Sequence, residues 1–376
     1  MRILYFSAII PSYVGAAKYF DYTILSYLSK SHIIDAIIIK SDKDFGKIPD
    51  FFNKLFCFNV TNTKRIIRSL FLFFLPCMMV YRMDLKIIIK LLQIKKNNYD
   101  IVLFSMSQTA LYGLIIKQII NSKKNILIIH DVLKQAFDRK YKNEKNIFKK
   151  LFFYFEYIKL YIFEEKIYNT FENCIVVNEK DKSLLGKINE KIEIMIPVYK
   201  KYNYFNIETD NKNFNLCFFG VFSRSENVDG VKYYLGTIHK RIIEEIPNYK
   251  YIIIGLDAEK YFRTNEHIEV FGFQDDPSVI LNKCNASVIL LRYGAGIKIK
   301  VLELLSLGLP CFCNSIASEG IQETEGLITS DDLAYLGNSI IEYYKERRIS
   351  RDKIRENFFK LYDMKKNNLI LDSIFK

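Results

Sequence analysis

Residues 292–310 read RYGAGIKIKVLELLSLGLP. Two glycines, Gly294 and Gly296, precede two lysines, Lys298 and Lys300, and one acid, Glu303. The apolar residues Ile297, Val301, Leu304 and Leu305 recur at helical spacing, and Gly308 with Pro310 stops the run. This predicts a strand ending at Leu291, a bare-backbone turn, and a helix over 297–307. Such a junction is an anion seat. Unpaired N–H groups and the positive end of the helix dipole face the ligand, and the missing Cβ atoms let it approach. Lys298 in the first turn opposes the dipole unless an anion sits beside it. Glu303 lies two turns in, too far for phosphate but placed for ribose hydroxyls. The stretch reads as a seat for a nucleotide diphosphate.

The surrounding elements alternate between strand-like and helix-like runs, which predicts parallel sheets covered by helices. In the first half the expected strands are 3–7, 34–40, 101–105, 126–130, 174–178 and 192–196. Helices are expected over 108–120 and 147–168. The polar run 200–213 reads as a linker. A second series follows, with strands at 215–219, 251–255, 268–271, 286–291 and 310–314, and helices near 228–245, 277–282, 297–307 and 331–345. A charged helix from Ser350 onward closes the chain. The fold class is therefore α/β, with two doubly wound domains. The first spans 1–205 and the second 206–350, and 351–376 forms a C-terminal helix able to pack back on the first domain. Ligand binding is expected in the cleft between the domains.

The 376 residues suffice for two cores, since half are hydrophobic. Net charge is +13 but uneven: residues 1–205 hold 33 Lys+Arg against 18 Asp+Glu, and residues 206–376 hold 22 against 24. The two halves therefore face different partners, or only one of them faces an anionic one. No basic reading element for nucleic acid is recognisable. After the first strand, SAIIPSYVG lacks the Gly-x-Gly-x-x-Gly of a nicotinamide site. The seven cysteines include one close pair, Cys311 and Cys313, whose spacing is not that of a metal or redox site; they read as buried thiols in a reducing cytoplasm. The N-terminal apolar run before Pro11 is too short for an export signal. Residues 70–81, LFLFFLPCMMVY, are uncharged between Arg65, Arg68 and Arg82 but too short to span a bilayer. Two readings stand: a buried helix of the first domain, or an interfacial segment with the arginines at headgroups.

The stretch RYGAGIKIKVLELLSLGLPCFCNSIASEG resembles the donor-site segment of GT-B glycosyltransferases, specifically glycosyltransferase family 4. The pattern is Gly-x-Gly-x-x-x-Lys-x-x-Glu, a helix, Gly-x-Pro, a strand, and a loop ending Glu-Gly. LCFFGVFSRSENVDGVKYYL, YIIIG and IEVFGFQDDPSVILNKCNASVILL resemble the rest of that family's second domain. PSYVGAAKYF, IIHD and CIVVNEKDKSLL resemble its first domain more loosely. The resemblance implies the GT-B architecture, two Rossmann-like domains facing across a cleft. It also implies retaining transfer from a nucleotide-diphosphate sugar without metal or other cofactor. Glu303 would bind the ribose. Lys298 and Lys300 compete for the diphosphate, with Lys300 at the family spacing, and Arg224, four residues after Gly220, would be a second cation. Gly15 would lie in the first-domain loop that closes over the donor. His130, with Asp131 beside it, would line the cleft as the catalytic pair near the transferred sugar. Asp275-Asp276 reads as a helix cap before Pro277, not as a metal-binding cluster. The sequence departs from the family at Ala295, where many members carry a sugar-contacting glutamate, and at Gly15-Ala16, where many carry two glycines.

The expectation is a cytoplasmic enzyme, peripheral at the inner face of the membrane, adding sugar to a glycan or lipid-linked glycan during bacterial surface-polysaccharide assembly. The anionic membrane surface would be a partner, and nucleic acid would not. The alternative is a non-catalytic GT-B-like partner that binds nucleotide or glycan and scaffolds a glycosylation complex.

Overall fold

The computed structural model describes all residues except 14, 41–46, 187–189, 206–212, 295 and 347–349, and it leaves the side chains of 62–65 undescribed. The chain divides into two compact units. One comprises Met1–Val198 with Met364–Lys376, and the other Tyr199–Asp363.

Among the described residues, seven strands form the sheet of the first unit: β1 (Arg2–Ser7), β2 (Ile33–Lys40), β3 (Lys54–Asn59), β4 (Ile101–Ser105), β5 (Lys124–Ile128), β6 (Asn173–Val176) and β7 (Ile192–Ile194). Their order is β3-β2-β1-β4-β5-β6-β7, and each described pairing is parallel. The second unit repeats the scheme with β8 (Phe214–Phe219), β9 (Tyr249–Ile254), β10 (Ile268–Phe271), β11 (Ala286–Ile289), β12 (Cys311–Cys313) and β13 (Leu327–Thr329), in the order β10-β9-β8-β11-β12-β13. β1, β4, β8 and β11 are nearly continuous apolar runs because helices cover both faces of each sheet. Strand order reverses between β1 and β4 in one unit and between β8 and β11 in the other. Such switch points leave a crevice at the strands' C-terminal ends, where ligands bind.

The structure corrects several boundaries. β3 and β13 were not expected. The helix expected over 228–245 is two, Ser225–Thr237 and His239–Glu245. The closing helix is also two, and they part company: Arg351–Leu361 stays with the second unit, and Lys366–Ile374 with the first. Asn367 fixes the latter, its amide accepting from Ile196 N at 2.7 Å and donating to Ile196 O at 2.8 Å.

Of the expected linker 200–213, residues 206–212 lie outside the described residues. Residues 200–205 belong to the second unit rather than to the first domain. Asn282 holds them there, donating to Asn203 O at 2.8 Å and accepting from Phe205 N at 3.1 Å.

The 70–81 stretch is part exposed and part core. Leu70, Phe71, Phe73 and Phe74 are exposed, while Cys77, Met79 and Val80 are core. Two of its flanking arginines are committed to the protein: Arg68 pairs with Asp84 at 2.7 Å, and Arg82 donates to Gln108 and to Ile39 O, both at 3.1 Å.

Candidate active site

In the second unit, one group of expected residues follows β8 and the other follows β11, on either side of the switch point. Gly220 leaves β8, and its N–H donates to Ile254 O at 3.0 Å. Close backbone approach requires glycine next door. Gly255 has φ +144°, and a Cβ there would sit 1.7 Å from Gly220 O. Arg224 caps the helix Ser225–Thr237 from outside, with its guanidinium largely exposed and 3.9 Å from Glu226.

After β11 the chain is pinned by Asn314, which accepts from Leu291 N at 3.1 Å and donates to Leu291 O at 2.7 Å. The turn then uses two left-handed glycines, Gly294 (φ +139°) and Gly296 (φ +69°). Ala295, the departure from the family pattern, lies outside the described residues. The helix runs Ile299–Ser306, two residues shorter at its start than expected. Lys298 is therefore its cap residue rather than part of its first turn. Lys298 Nζ turns back to Gly296 O and lies 4.0 Å from Glu319.

Lys300 enters the opposite strand's territory. Its ammonium donates to Asn227 Oδ1, lies 4.2 Å from the Phe218 ring centroid, and comes within 3.2 Å of where a Gly220 Cβ would be. Asn227 is itself buried and donates to Val221 O at 2.7 Å, so its oxygen is aimed at the lysine. Burial lowers the Lys300 pKa to about 7, helped by Lys298 and Arg224 and opposed by Glu226. Glu303, one turn on, accepts from Lys200 N at 3.2 Å, and burial raises its carboxyl to about 7. The structure thus brings Gly220, Lys300, Asn227 and Phe218 into contact. Sequence reasoning missed Asn227 and Lys200.

The first unit holds a separate cluster at its own switch point. His130 lies two residues past the end of β5, with Nε2 3.1 Å from Asp21 Oδ1 and 3.2 Å from Ser105 Oγ. Asp21 is fully buried, and its Oδ2 accepts from the hydroxyls of Tyr5 and Ser105, both at 2.6 Å. A carboxylate only accepts, so this network places a proton on Nε2. Phe20 meets the imidazole edge-on at 5.5 Å. Burial and the Asp21 charge push the Tyr5 phenol far above its ordinary range, keeping it a donor. The backbone after Ser105 is strained, with Met106 at φ +74°. Ser107 next donates to Asp131 O at 3.3 Å. The Asp131 side chain is exposed. Gly15 (φ +95°) caps the helix Ala16–Leu28 that carries Asp21.

Asp276 accepts from Ser278 N at 2.9 Å, as a cap does. Among the described residues no three His, Cys, Asp or Glu side chains converge on a metal-sized site.

Residues 213–346 match the family model described as Glycosyl transferases group 1. The match lies within the second unit. The matched segment contains Gly220, Arg224, Asn227, Lys300 and Glu303, and Lys200 precedes it. Over its length the chain is 25% identical to an "Uncharacterized 44.6 kDa protein in cps region" of Klebsiella pneumoniae, covering 93% of this chain and 92% of that one. Among solved structures it is similar to sucrose-phosphate synthase from Thermosynechococcus elongatus, with TM-score 0.68, 12% identity, and coverage of 100% and 98% of the two chains. It is also similar to HepE of Anabaena in complex with UDP and glucose (TM-score 0.64, 12% identity, 100% and 99%). A third is the lipopolysaccharide outer core galactosyltransferase WaaB (TM-score 0.61, 16% identity, 100% and 99%). These likenesses show the fold, which is GT-B.

Proposed function

We propose that the chain is a retaining glycosyltransferase that moves a sugar from a nucleotide-diphosphate sugar to a glycan or lipid-linked glycan acceptor. The pathway in view is bacterial surface-polysaccharide assembly. The observation that carries this reading is the approach of Lys300 to Gly220 across the β8/β11 switch point, with Glu303 one turn further along the same helix. UDP-bound HepE and the relative from a cps region support the donor class and the pathway.

In this reading Lys300 and Arg224 neutralise the diphosphate, and Gly294 and Gly296 give it bare backbone. Lys298 is the reserve cation, and Glu303 binds the ribose. The bond from the anomeric carbon to the diphosphate breaks as the acceptor oxygen attacks from the same face. The departing phosphate oxygen takes the acceptor's proton. Charge on the leaving group is met by fixed cations and a helix terminus, so this chemistry calls on no metal ion or cofactor. His130 offers Nδ1 to a hydroxyl of the transferred sugar, and Asp131 is the exposed carboxylate beside it.

Ala295 favours a second reading, a non-catalytic partner that binds nucleotide or glycan and scaffolds a glycosylation complex. One experiment separates them. A panel of UDP-, GDP-, dTDP- and CMP-sugars is screened by thermal shift and then by donor turnover. Ligand at 100 times its dissociation constant adds about 2.7 kcal/mol of stability. The transferase reading expects one nucleotide class to stabilise wild type but not Glu303→Ala, with donor consumed when acceptor is added. Stabilisation without turnover on any acceptor supports the scaffold, and no stabilisation by any class sinks the transferase reading.

A further inference from the structure

The helix Ile147–Tyr168 is built inside out. Its inward face carries two carboxylates, Glu156 and Glu164, each 1% exposed. Its outward face carries Ile147, Phe148, Leu151, Phe152, Phe155 and Ile158, all exposed, with Phe148 at 80%. The inward acids have structural partners. Glu156 accepts from Cys77 N at 2.7 Å and pairs with Lys159. Glu164 accepts from Leu133 N at 3.0 Å and Lys134 N at 3.3 Å, closing the start of the helix Leu133–Asn143. The outward apolar residues have no such account in water, and contiguous exposed apolar surface of this kind marks an interaction site.

A second apolar segment is tied to the same helix. Lys159 donates to Phe73 O at 3.0 Å, and the Glu156–Cys77 bond holds the next turn. Phe71 and Phe73, 79% and 71% exposed, are thereby registered beside the helix as part of one surface. Lysines fringe it. Lys145 and Lys149 are exposed, and Lys134 and Lys150 lie over the rings of Tyr161 and Tyr141 at 5.4 and 5.5 Å. Lysine stems on aromatic surface with the ammonium at the rim suit an apolar phase bordered by anions. Residues 133–168 hold nine Lys+Arg against five Asp+Glu, and two of those five face inward, so the outer face is positive. No described helix is long and apolar enough to cross a membrane.

We propose that this face lies in the interface of an anionic lipid bilayer, with Phe71, Phe73, Phe148, Phe152 and Phe155 at the acyl boundary and the lysines at headgroup phosphates. A second copy of the chain is the competing occupant. Charge argues against it, because pairing two such faces would bring like-charged rims together. The inference is independent of the transfer reaction, since every residue in it lies in the first unit.

The test uses the full chain with sedimenting vesicles, either phosphatidylcholine alone or with about a third phosphatidylglycerol. Wild type is expected to bind the anionic vesicles, to bind the neutral ones far less, and to release as salt rises. Phe148→Asp with Phe152→Asp should lower the partition coefficient at least about tenfold. The melting temperature, nucleotide-sugar binding and sedimentation coefficient without lipid should stay unchanged. Should that pair fail to fold, Phe71→Asp with Phe73→Asp reads the same surface from outside the helix. Absence of wild-type binding to anionic vesicles overturns the proposal, and so does equal binding by a folded variant. A wild-type dimer that the substitutions dissociate identifies a second copy as the occupant and overturns it too.

Discussion

Lys300 and Glu303 sit three residues apart on one short helix and meet at about pH 7 from opposite sides. For Lys300 the folded value lies below the unfolded one, so the unfolded chain binds more protons between about pH 7 and 10.5, and stability rises with pH across that window. For Glu303 the folded value lies above, so stability falls between pH 4.5 and about 7. Chemical denaturation of the ligand-free protein should show Lys300→Met flattening the alkaline rise and Glu303→Gln flattening the acidic fall. A diphosphate beside Lys300 restores its charge. Binding of the stabilising nucleotide sugar at pH 8 should therefore take up close to one proton, read by calorimetry in buffers of different ionisation enthalpy. Lys300→Met should abolish the uptake, and a wild-type value near zero would remove Lys300 from the phosphate. In the first unit, Asp21→Asn leaves Tyr5, Ser105 and His130 around a neutral amide. Hydrogen bonds to a charged group contribute about 1.5–3 kcal/mol. A loss of unfolding free energy of that size, read by urea denaturation, is expected. Asp21 was legible in principle: Phe20, Asp21, Ile24, Leu25 and Leu28 share one buried face, and a carboxylate on such a face needs partners. Those partners, Tyr5 and Ser105, come from two other strands, and no local pattern announces them.

At the scale of elements, the long buried strands were plain in the sequence because helices on both faces demand unbroken apolar runs. β10 and the helix Ile147–Tyr168 fall where the pattern puts them. β3, KLFCFN, was hidden because an edge strand is half exposed, and β13 because three residues are too few to show a period. The seat after β11 was readable as glycine turn, helix and stop. The position of Lys298 was not, since the helix starts two residues late. The β8–β9 contact is tighter than any sequence pattern shows. Gly255→Ala drives a methyl into Gly220 O in a backbone region that alanine avoids, and should cost about 2–4 kcal/mol in denaturant unfolding. It should also weaken nucleotide-sugar binding, because the displaced Gly220 borders Lys300.

At the scale of the molecule, the chain passes from the first unit to the second at 198–199 and returns at 363–364. The second unit is a continuous segment, and the first is not. Residues 199–363 alone should fold and bind the nucleotide sugar, with the dissociation constant checked by the calorimetry used for the full chain. Ending the chain after Asp363 should leave that binding intact while the first unit melts earlier. It would lose the Asn367 clasp on Ile196 and the buried Leu371, Ile374 and Phe375. A ribosome makes the pieces in order, so the unit begun first is completed last. Its sheet waits, with one flank uncovered, while some 165 further residues are polymerised. A premature stop near the 3′ end of the message would thus spare the later-made half and damage the earlier one.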